Sequence, residues 1–234
     1  MLADIAAIID RITKSDNRKS VFHFTRAKNL AALSHFDEIW SSKRMLPDSD
    51  GERRLSSQAV NYEGVEVTVN AHLRIPADMM ESNCTVEQFR ACLDRHVFFW
   101  PTRQDCLKML TTYQRREPAE HFAVLELDAS SLLSAHWPSV RLSKYDSGSS
   151  PRFPKHCQYR KSPDMLVPLT DFGHKPHPAV PVNPSEIKEI LIEDQVRHIS
   201  KFLKTIYIDN LEDQPSRWLG CAKSLPSLLV SAES

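Results

Sequence analysis

The fold of this chain is decided by the stretch His96-Val97-Phe98-Phe99-Trp100-Pro101-Thr102. A run of four to five apolar and aromatic residues is typical of a buried strand, and the Pro-Thr pair ends it and starts a new amphipathic segment. Because successive side chains of a strand point to opposite faces, Phe98 and Trp100 should share one face and Phe99 should take the other. We expect Trp100 to face a pocket at the end of the strand and Phe99 to belong to the core.

Helical and extended patterns flank this stretch. Apolar residues at helical spacing predict an amphipathic helix over 2–12, and residues 21–24 and 27–36 predict a strand and then a short helix. Thr85-Val86-Glu87-Gln88 matches a capping box that opens a helix, and Thr102 is expected to cap the next one. The other predicted elements are strands over 65–69, 121–127, 140–142, 164–167 and 187–192, and a C-terminal helix over 196–203.

Irregular segments separate these elements. A polar segment over 41–57 and a turn-rich loop over 144–150 are expected. Strands and helices are mixed without regular βαβ alternation, which favours an α+β fold over a doubly wound sheet. We predict one domain over 1–209 and a tail over 210–234, whose apolar residues would dock on the domain or bind a partner.

The composition argues against several classes of function. The 234 residues include 30 basic and 30 acidic side chains, so no overall basic field favours non-specific nucleic-acid binding. No apolar run approaches the length of a membrane span, and Asp4 interrupts the apolar N-terminal segment, which is unlike a signal peptide. We therefore expect a cytoplasmic protein without a membrane partner.

Cysteine and histidine patterns do not indicate a metal site. The five cysteines contain no CxxC pair and are expected to be free thiols in a reducing compartment. His174 and His177 are accompanied by prolines, which forbid a helical metal-binding face, so no metal is predicted. Cys157 beside His156 leaves a cysteine nucleophile open, although adjacency in sequence does not position two side chains for proton transfer.

Several motifs, in their order along the chain, resemble known proteins. His23-Phe24-Thr25, followed by Asn29-Leu30, resembles the first motif of the ADP-ribosyltransferase fold in its DarT-like branch. Other motifs are similar to an uncharacterised bacterial domain family related to that branch, which has an R/H-V-F-F-W strand: His96–Trp100, Tyr113, Val124–Asp128, Asp146–Ser150 and the Arg53-Arg54 pair. The resemblance extends from about His23 to Glu193. It implies an α+β, ADP-ribosyltransferase-like fold of split antiparallel sheets with flanking helices.

The resemblance implies an enzyme that consumes NAD as a substrate. Its reaction breaks the nicotinamide–ribose bond through an oxocarbenium-like state, as glycoside cleavage does. His23 and Thr25 of the H-x-T motif would bind the cofactor, with the His23 side chain on a ribose hydroxyl. Trp100 or Tyr113 would stack on the nicotinamide ring, with Phe99 as an alternative.

Asp164 and Arg54 are the catalytic residues that the resemblance implies. The family usually places a Glu at the start of a strand, and Asp164 is the best positional match although it is one methylene shorter. Arg54 would pair with a diphosphate or orient the acceptor. Ser147 and Ser149 would contact phosphate through backbone N–H groups. Each of these residues also has a purely structural interpretation, as a core histidine, a turn residue or a solvated charge.

Three functions remain open from the sequence. The first is a mono-ADP-ribosyltransferase, and the second is a weakly active or inactive module that binds NAD, ADP-ribose or a nucleotide end. The third is a toxin or defence effector that modifies nucleic acid, which implies an antitoxin partner. The acceptor would be nucleic acid or protein. A basic-aromatic segment that would suit nucleic acid, or be only a solvated loop, comprises Arg152, Phe153, Lys155, Tyr159, Arg160 and Lys161.

Overall fold

The aromatic stretch forms a strand at the junction of two four-stranded sheets. The computed structural model describes residues 2–49, 51–150, 157–174 and 178–229. The strands in these ranges are β1 (Ser20–Arg26), β2 (Glu38–Trp40), β3 (Gln58–Tyr62), β4 (Val65–Val69), β5 (His96–Phe99), β6 (Phe122–Asp128), β7 (Val140–Ser143), β8 (Val167–Pro168), β9 (Glu189–Glu193), β10 (Gln195–Arg197), β11 (Leu203–Ile208) and β12 (Ala222–Ser224).

The helices flank these sheets. They are α1 (Leu2–Thr13), α2 (Leu30–Phe36), α3 (Ser42–Met45), α4 (Val86–Asp94), α5 (Arg103–Arg116) and α6 (Ala129–His136). Thr85 and Gln88 form the predicted capping box of α4, and Thr102 caps α5. Within the described residues, no helix has the length and apolar character needed to cross a membrane.

The sheet order makes the architecture α+β, as predicted. The first sheet has the order β1-β6-β11-β12, with only the β11–β12 pair parallel, and the second has the order β5-β9-β7-β8 with antiparallel pairs throughout. Two smaller sheets pair β2 with β10 and β3 with β4. The fold class thus follows from mixed elements without regular βαβ units.

The two large sheets are joined through β1 and the end of the aromatic stretch. Phe22 and Trp100 exchange two backbone hydrogen bonds, each N–H donating to the other carbonyl at 2.9 Å. Phe99 is fully buried in the main core, whereas Phe98 and Trp100 pack against a second, aromatic cluster. The predicted alternation along this strand is therefore confirmed.

Two predicted elements are wrong. Residues 196–203 form no helix, because His198 adopts a left-handed backbone (φ 56°) between β10 and a 3₁₀ turn over Ile199–Lys201, and β11 then pairs with β6. The strand predicted over 164–167 is instead a 3₁₀ turn over Pro163–Met165 followed by the two-residue β8. No sequence pattern predicts strands β2, β3, β10, β11 and β12 or helices α3 and α6.

The described part of the tail packs on the first sheet. β12 pairs with β11, and Trp218 is buried and donates from its indole Nε1 to Ser200 Oγ at 2.9 Å. Leu225 and Leu228 are buried in the aromatic cluster. Among the described residues, which include all five cysteines, no disulfide is formed.

Candidate functional site

A cavity of about 210 Å³ opens where β1, β4, β5 and α4 meet. It is large enough for a ring and a sugar rather than a single water molecule. The residues on its wall that the sequence singled out are His23, Thr25, Arg54, Trp100 and Tyr113. Ser147, Ser149 and Asp164 are not among the described residues that line it. Five of the eight predicted site residues are thus brought together.

His23 is held at the junction of the sheets in one defined tautomer. Its Nδ1 lies 2.9 Å from the Phe98 carbonyl oxygen, and because a carbonyl only accepts, Nδ1 carries the proton. The ring also packs against Phe99, with centroids 5.5 Å apart. Burial disfavours the charged ring and lowers the pKa of His23 to about 4. His23 therefore presents a neutral imidazole whose Nε2 is an acceptor.

Aromatic side chains form one wall of the cavity. Trp100 meets Phe24 edge-on at 6.4 Å between centroids, and Tyr113 lies 4.9 Å from Phe24. The Tyr113 hydroxyl donates to the Ala71 carbonyl at 3.0 Å, and burial raises the pKa of this phenol to about 12. Tyr113 is thus a fixed, neutral part of the wall.

Thr25 and Asn29 anchor another part of the cavity wall. The Asn29 amide donates to Thr25 Oγ1 at 3.3 Å and to the Thr68 carbonyl at 3.0 Å. Its side-chain oxygen accepts the Thr68 N–H at 2.8 Å. This two-way bridge fixes β4 to the start of α2, because an amide side chain offers both a donor and an acceptor.

Arg54 is fully engaged by neighbouring groups. Its guanidinium forms a bidentate ion pair with Asp94, in which Nη2 donates to Oδ1 at 2.8 Å and Nη1 donates to Oδ2 at 2.9 Å. Its Nε donates to the Asn70 carbonyl at 3.1 Å. His72 accepts the Arg54 backbone N–H on Nδ1 and therefore donates from Nε2 to Asp94, at 2.9 Å. Burial alone would raise the pKa of Asp94, but hydrogen bonds from His72 and Arg54 outweigh it and hold that pKa below its usual value.

Ser147 and Ser149 both donate hydrogen bonds to carboxylates of the protein. Ser147 is buried, and its N–H and hydroxyl both donate to Glu189 Oε2, the N–H at 3.0 Å. The Ser149 hydroxyl donates to Asp146 at 2.6 Å. Glu189 itself lies on the cavity wall with Gly148. Glu189 at the start of β9, to which Ser147 donates, is therefore a carboxyl on the cavity wall.

Asp164 lies elsewhere. It is exposed on the 3₁₀ turn before β8 and borders a second, more open cleft of about 530 Å³ with Cys84, Cys92 and Arg95. The structure thus does not bring Asp164 together with His23.

The described residues of the basic-aromatic segment are only partly exposed to solvent. Lys161 is fully buried, and Arg160 donates to the Asp78 carbonyl, so Lys161 offers no charge to a nucleic acid at this surface. Arg152, Phe153, Lys155, His156 and His177 lie outside the described residues. Within the described ranges, no three His, Cys, Asp or Glu side chains come together as a metal site.

Glu189, Asp94 and His72 line the cavity but are not among the predicted site residues. Glu189 stands within the predicted strand over 187–192, and an acidic residue in an otherwise apolar strand was the signal that could have identified it. Asp94 and His72 carry no local signal, because their partner Arg54 lies 40 and 18 residues away along the chain.

Comparisons with known proteins give a family and several similar structures. No curated protein matches the chain. Thermosipho africanus DarTG in complex with ADP-ribose is 8% identical with a TM-score of 0.43, and the match covers 90% of this chain and 50% of that one. Thermus sp. 2.9 DarT in complex with NAD⁺ is 13% identical with a TM-score of 0.36, and the match covers 84% of each chain. The same protein in complex with carba-NAD⁺ is 14% identical with a TM-score of 0.37, and the match covers 85% of this chain and 86% of that one.

The chain spans about half the length of that DarTG protein. A family model described as a family of unknown function, DUF7002, matches residues 19–203, which include both large sheets except for β12 and all of β11 after its first residue. The chain belongs to this family, DUF7002.

Proposed function

We propose that the cavity binds NAD and that the protein is a mono-ADP-ribosyltransferase. The observation that carries the proposal is His23, whose Nδ1–H is used by the Phe98 carbonyl while Nε2 remains an acceptor on a cavity wall. Such an acceptor suits a ribose hydroxyl. Trp100 and Tyr113 supply flat aromatic surface for the nicotinamide ring.

In the proposed reaction, the bond between ribose C1′ and the nicotinamide nitrogen breaks and its electron pair leaves with nicotinamide. The acceptor nucleophile bonds to C1′ and gives up its proton. The sugar passes through an oxocarbenium-like state, which negative charge nearby stabilises. Asp164 remains the predicted catalytic carboxylate, and it would have to reach C1′ from the second cleft.

Calorimetry with NAD tests the binding step. The wild-type chain should bind NAD, and His23→Ala should weaken binding roughly tenfold, because one hydrogen bond to the ligand and its packing are lost. His121→Ala is the matched control, since His121 is an exposed histidine just before β6. A folded wild-type chain that does not bind NAD would sink the proposal, and so would unchanged binding by His23→Ala.

A second candidate is a module that binds NAD or ADP-ribose without chemistry. Two observations favour it: Asp164 lies outside the cavity, and both terminal nitrogens of Arg54 are occupied by Asp94. Release of nicotinamide separates the two functions. A transferase releases nicotinamide and loses that activity in Asp164→Ala, whereas a module binds NAD and releases none.

The acceptor, if the protein is a transferase, is proposed to be nucleic acid or protein. A toxin or defence role with an antitoxin, and a cytoplasmic location, stay predictions from the sequence resemblance. Mass spectrometry of DNA, RNA and protein after incubation with the chain and NAD would identify the acceptor by the mass of one ADP-ribose unit. Modification of protein alone would rule out the nucleic-acid effector.

A further inference from the structure

Arg90 of α4 is a buried cation on the wall of the proposed NAD cavity. Its side chain is only 9% exposed. Nη1 donates to the Gly51 carbonyl at 3.3 Å and lies 3.5 Å from the Glu87 carboxylate. Within the described ranges, no residue accepts a hydrogen bond from Nε, which is buried, or from Nη2. Because the Nε–H and one Nη2–H lie on the same edge of the guanidinium, that edge is left for a ligand.

The described residues compensate this charge only in part. Glu87 is 62% exposed, so its attraction for Arg90 is screened by water. The other buried arginine on the cavity wall, Arg54, has a bidentate partner in Asp94. Burial lowers the pKa of Arg90, and the Glu87 charge opposes this shift without reversing it. A buried cation without a hydrogen-bonded carboxylate is costly, so an anion at the open edge would be bound favourably.

A second group on the cavity wall also lacks a partner within the described part of the chain. Thr68 of β4 is buried, and its Oγ1 forms no hydrogen bond there. Asn29 bonds the backbone N–H and carbonyl of Thr68 but not its hydroxyl. Buried polar atoms in folded proteins are nearly always hydrogen-bonded, so two such atoms on one cavity wall indicate a polar occupant.

We propose that Arg90 binds the diphosphate of the cavity ligand through the Nε and Nη2 edge of its guanidinium. The inference rests on the proposed function, and it adds a residue outside the motifs that resemble the ADP-ribosyltransferase fold. A guanidinium edge offers two parallel N–H donors that match two phosphate oxygens. Arg54 has its Nε bonded to Asn70 and both terminal nitrogens bonded to Asp94, whereas Arg90 has this edge open.

Calorimetry with ADP-ribose and with a non-hydrolysable NAD analogue tests this, because both ligands carry the diphosphate. Arg90→Gln should weaken the binding of both about tenfold to a hundredfold, since charge-assisted hydrogen bonds to the ligand are lost. Arg115→Gln is the control, because Arg115 is an exposed arginine on α5, and it should bind both ligands as wild type does. Equal affinity of wild type and a folded Arg90→Gln for both ligands would overturn the inference.

The salt dependence of binding separates a contact with the diphosphate from a merely structural role of Arg90. Wild-type affinity for ADP-ribose should fall as NaCl is raised from about 50 mM to about 500 mM, because salt screens the attraction between the cation and the diphosphate. In Arg90→Gln this fall should be smaller, since one attracting charge is gone. A structural role would lower the affinity by the same factor at every salt concentration, and that result would overturn the inference.

Arg90→Lys keeps the test decisive if Arg90→Gln does not fold. It retains the positive charge without the two-donor edge, so its affinity should be below that of wild type while its salt dependence should match. Wild-type affinity in Arg90→Lys would overturn the two-donor contact. Binding of both ligands that does not depend on Arg90 would leave the proposed function standing, whereas a wild-type chain that binds neither ligand would overturn both the proposed function and this inference.

Discussion

Two residues of the cavity, the half-buried His23 and the buried Glu189, have pKa values that burial moves toward the neutral form. Burial lowers the pKa of His23 to about 4 and raises that of Glu189 to about 8, because a charged group loses hydration in the interior. On the cavity wall, His23 therefore presents a neutral imidazole whose Nε2 is an acceptor. The two residues contribute to stability with opposite dependence on pH.

His23 should make the protein less stable in mild acid. In the unfolded chain the His23 ring is protonated below its ordinary pKa of 6.5. In the folded chain the ring is protonated only below about pH 4, so acid favours the unfolded chain. The free energy of unfolding should fall across this window by up to about 3 kcal/mol, and His23→Gln should remove that part of the fall. Urea unfolding of both proteins between pH 4 and 7 measures the difference. Parallel curves would contradict the assigned neutral state.

Glu189 should act in the other direction. Folding raises the pKa of Glu189 from 4.5 to about 8, because the interior favours the protonated carboxyl. The contribution of this group to the free energy of unfolding is therefore complete below about pH 4.5 and is lost as the pH rises toward 8. Glu189→Gln cannot ionise, so its stability relative to wild type should increase over this window, by on the order of 4 kcal/mol. Thermal unfolding of the two proteins at several pH values checks this. A constant difference would mean that Glu189 is ionised in the folded chain.

At the scale of elements, α4 organises one side of the cavity. It supplies Asp94 to Arg54 and His72, and Arg90 donates from this helix to the Gly51 carbonyl at 3.3 Å. Gly51 has a φ of +83° and packs directly on the helix backbone. A Cβ at this position would lie 2.0 Å from the Glu87 carbonyl oxygen. The segment before β3 can thus approach α4 only with glycine at this point.

Gly51→Ala should therefore cost much more stability than a glycine substitution elsewhere. We expect a loss of about 3 kcal/mol or more, from the left-handed backbone and from overpacking against α4. Gly64→Ala is the control, because Gly64 also has a positive φ of +86°, but a Cβ added there would meet no packed neighbour within 4 Å. This variant should lose only about 1 kcal/mol of the free energy of unfolding. Urea unfolding compares the two, and equal losses would show that the close approach is not rigid.

At the scale of the whole molecule, the tail completes the first sheet. β12 covers the edge of β11, and Leu225 and Leu228 pack in the aromatic cluster that includes Phe24 and Trp100. This cluster backs the aromatic wall of the cavity. The division at residue 209 stays a prediction about domains, but the described tail shares a core with the sheet that carries His23.

Leu228→Ala should destabilise the whole chain. Leu228 is fully buried, so its truncation should cost about 2–5 kcal/mol through lost burial and a residual cavity. Leu229→Ala is the adjacent control, because Leu229 is 67% exposed and should change stability by no more than about 0.5 kcal/mol. A single cooperative transition shifted only in Leu228→Ala is the expected result. If neither variant shifts it, the tail does not contribute to the folded core.

Part of this architecture could be predicted because its signals are local. The capping box of α4 and the alternation of Phe98, Phe99 and Trp100 depend on neighbours a few residues away. The C-terminal helix is wrong because its apolar residues have a helical spacing that a strand with Val196, a turn with Ile199 and a second strand that begins at Leu203 also satisfy. Long-range pairing of β10 with β2 and of β11 with β6 favours the strand, turn and strand over the helix.

The sequence by itself determined the α+β class, the aromatic strand and the His23 strand, since periodicity and capping are properties of short segments. Only the tertiary structure decided which polar groups share the cavity. It brought Glu189 and Asp94 to the cavity wall and left Asp164 outside it. The physical reason is the order β5-β9-β7, which is fixed by backbone hydrogen bonds between distant segments and sets what stands beside the aromatic strand. No local pattern encodes that order.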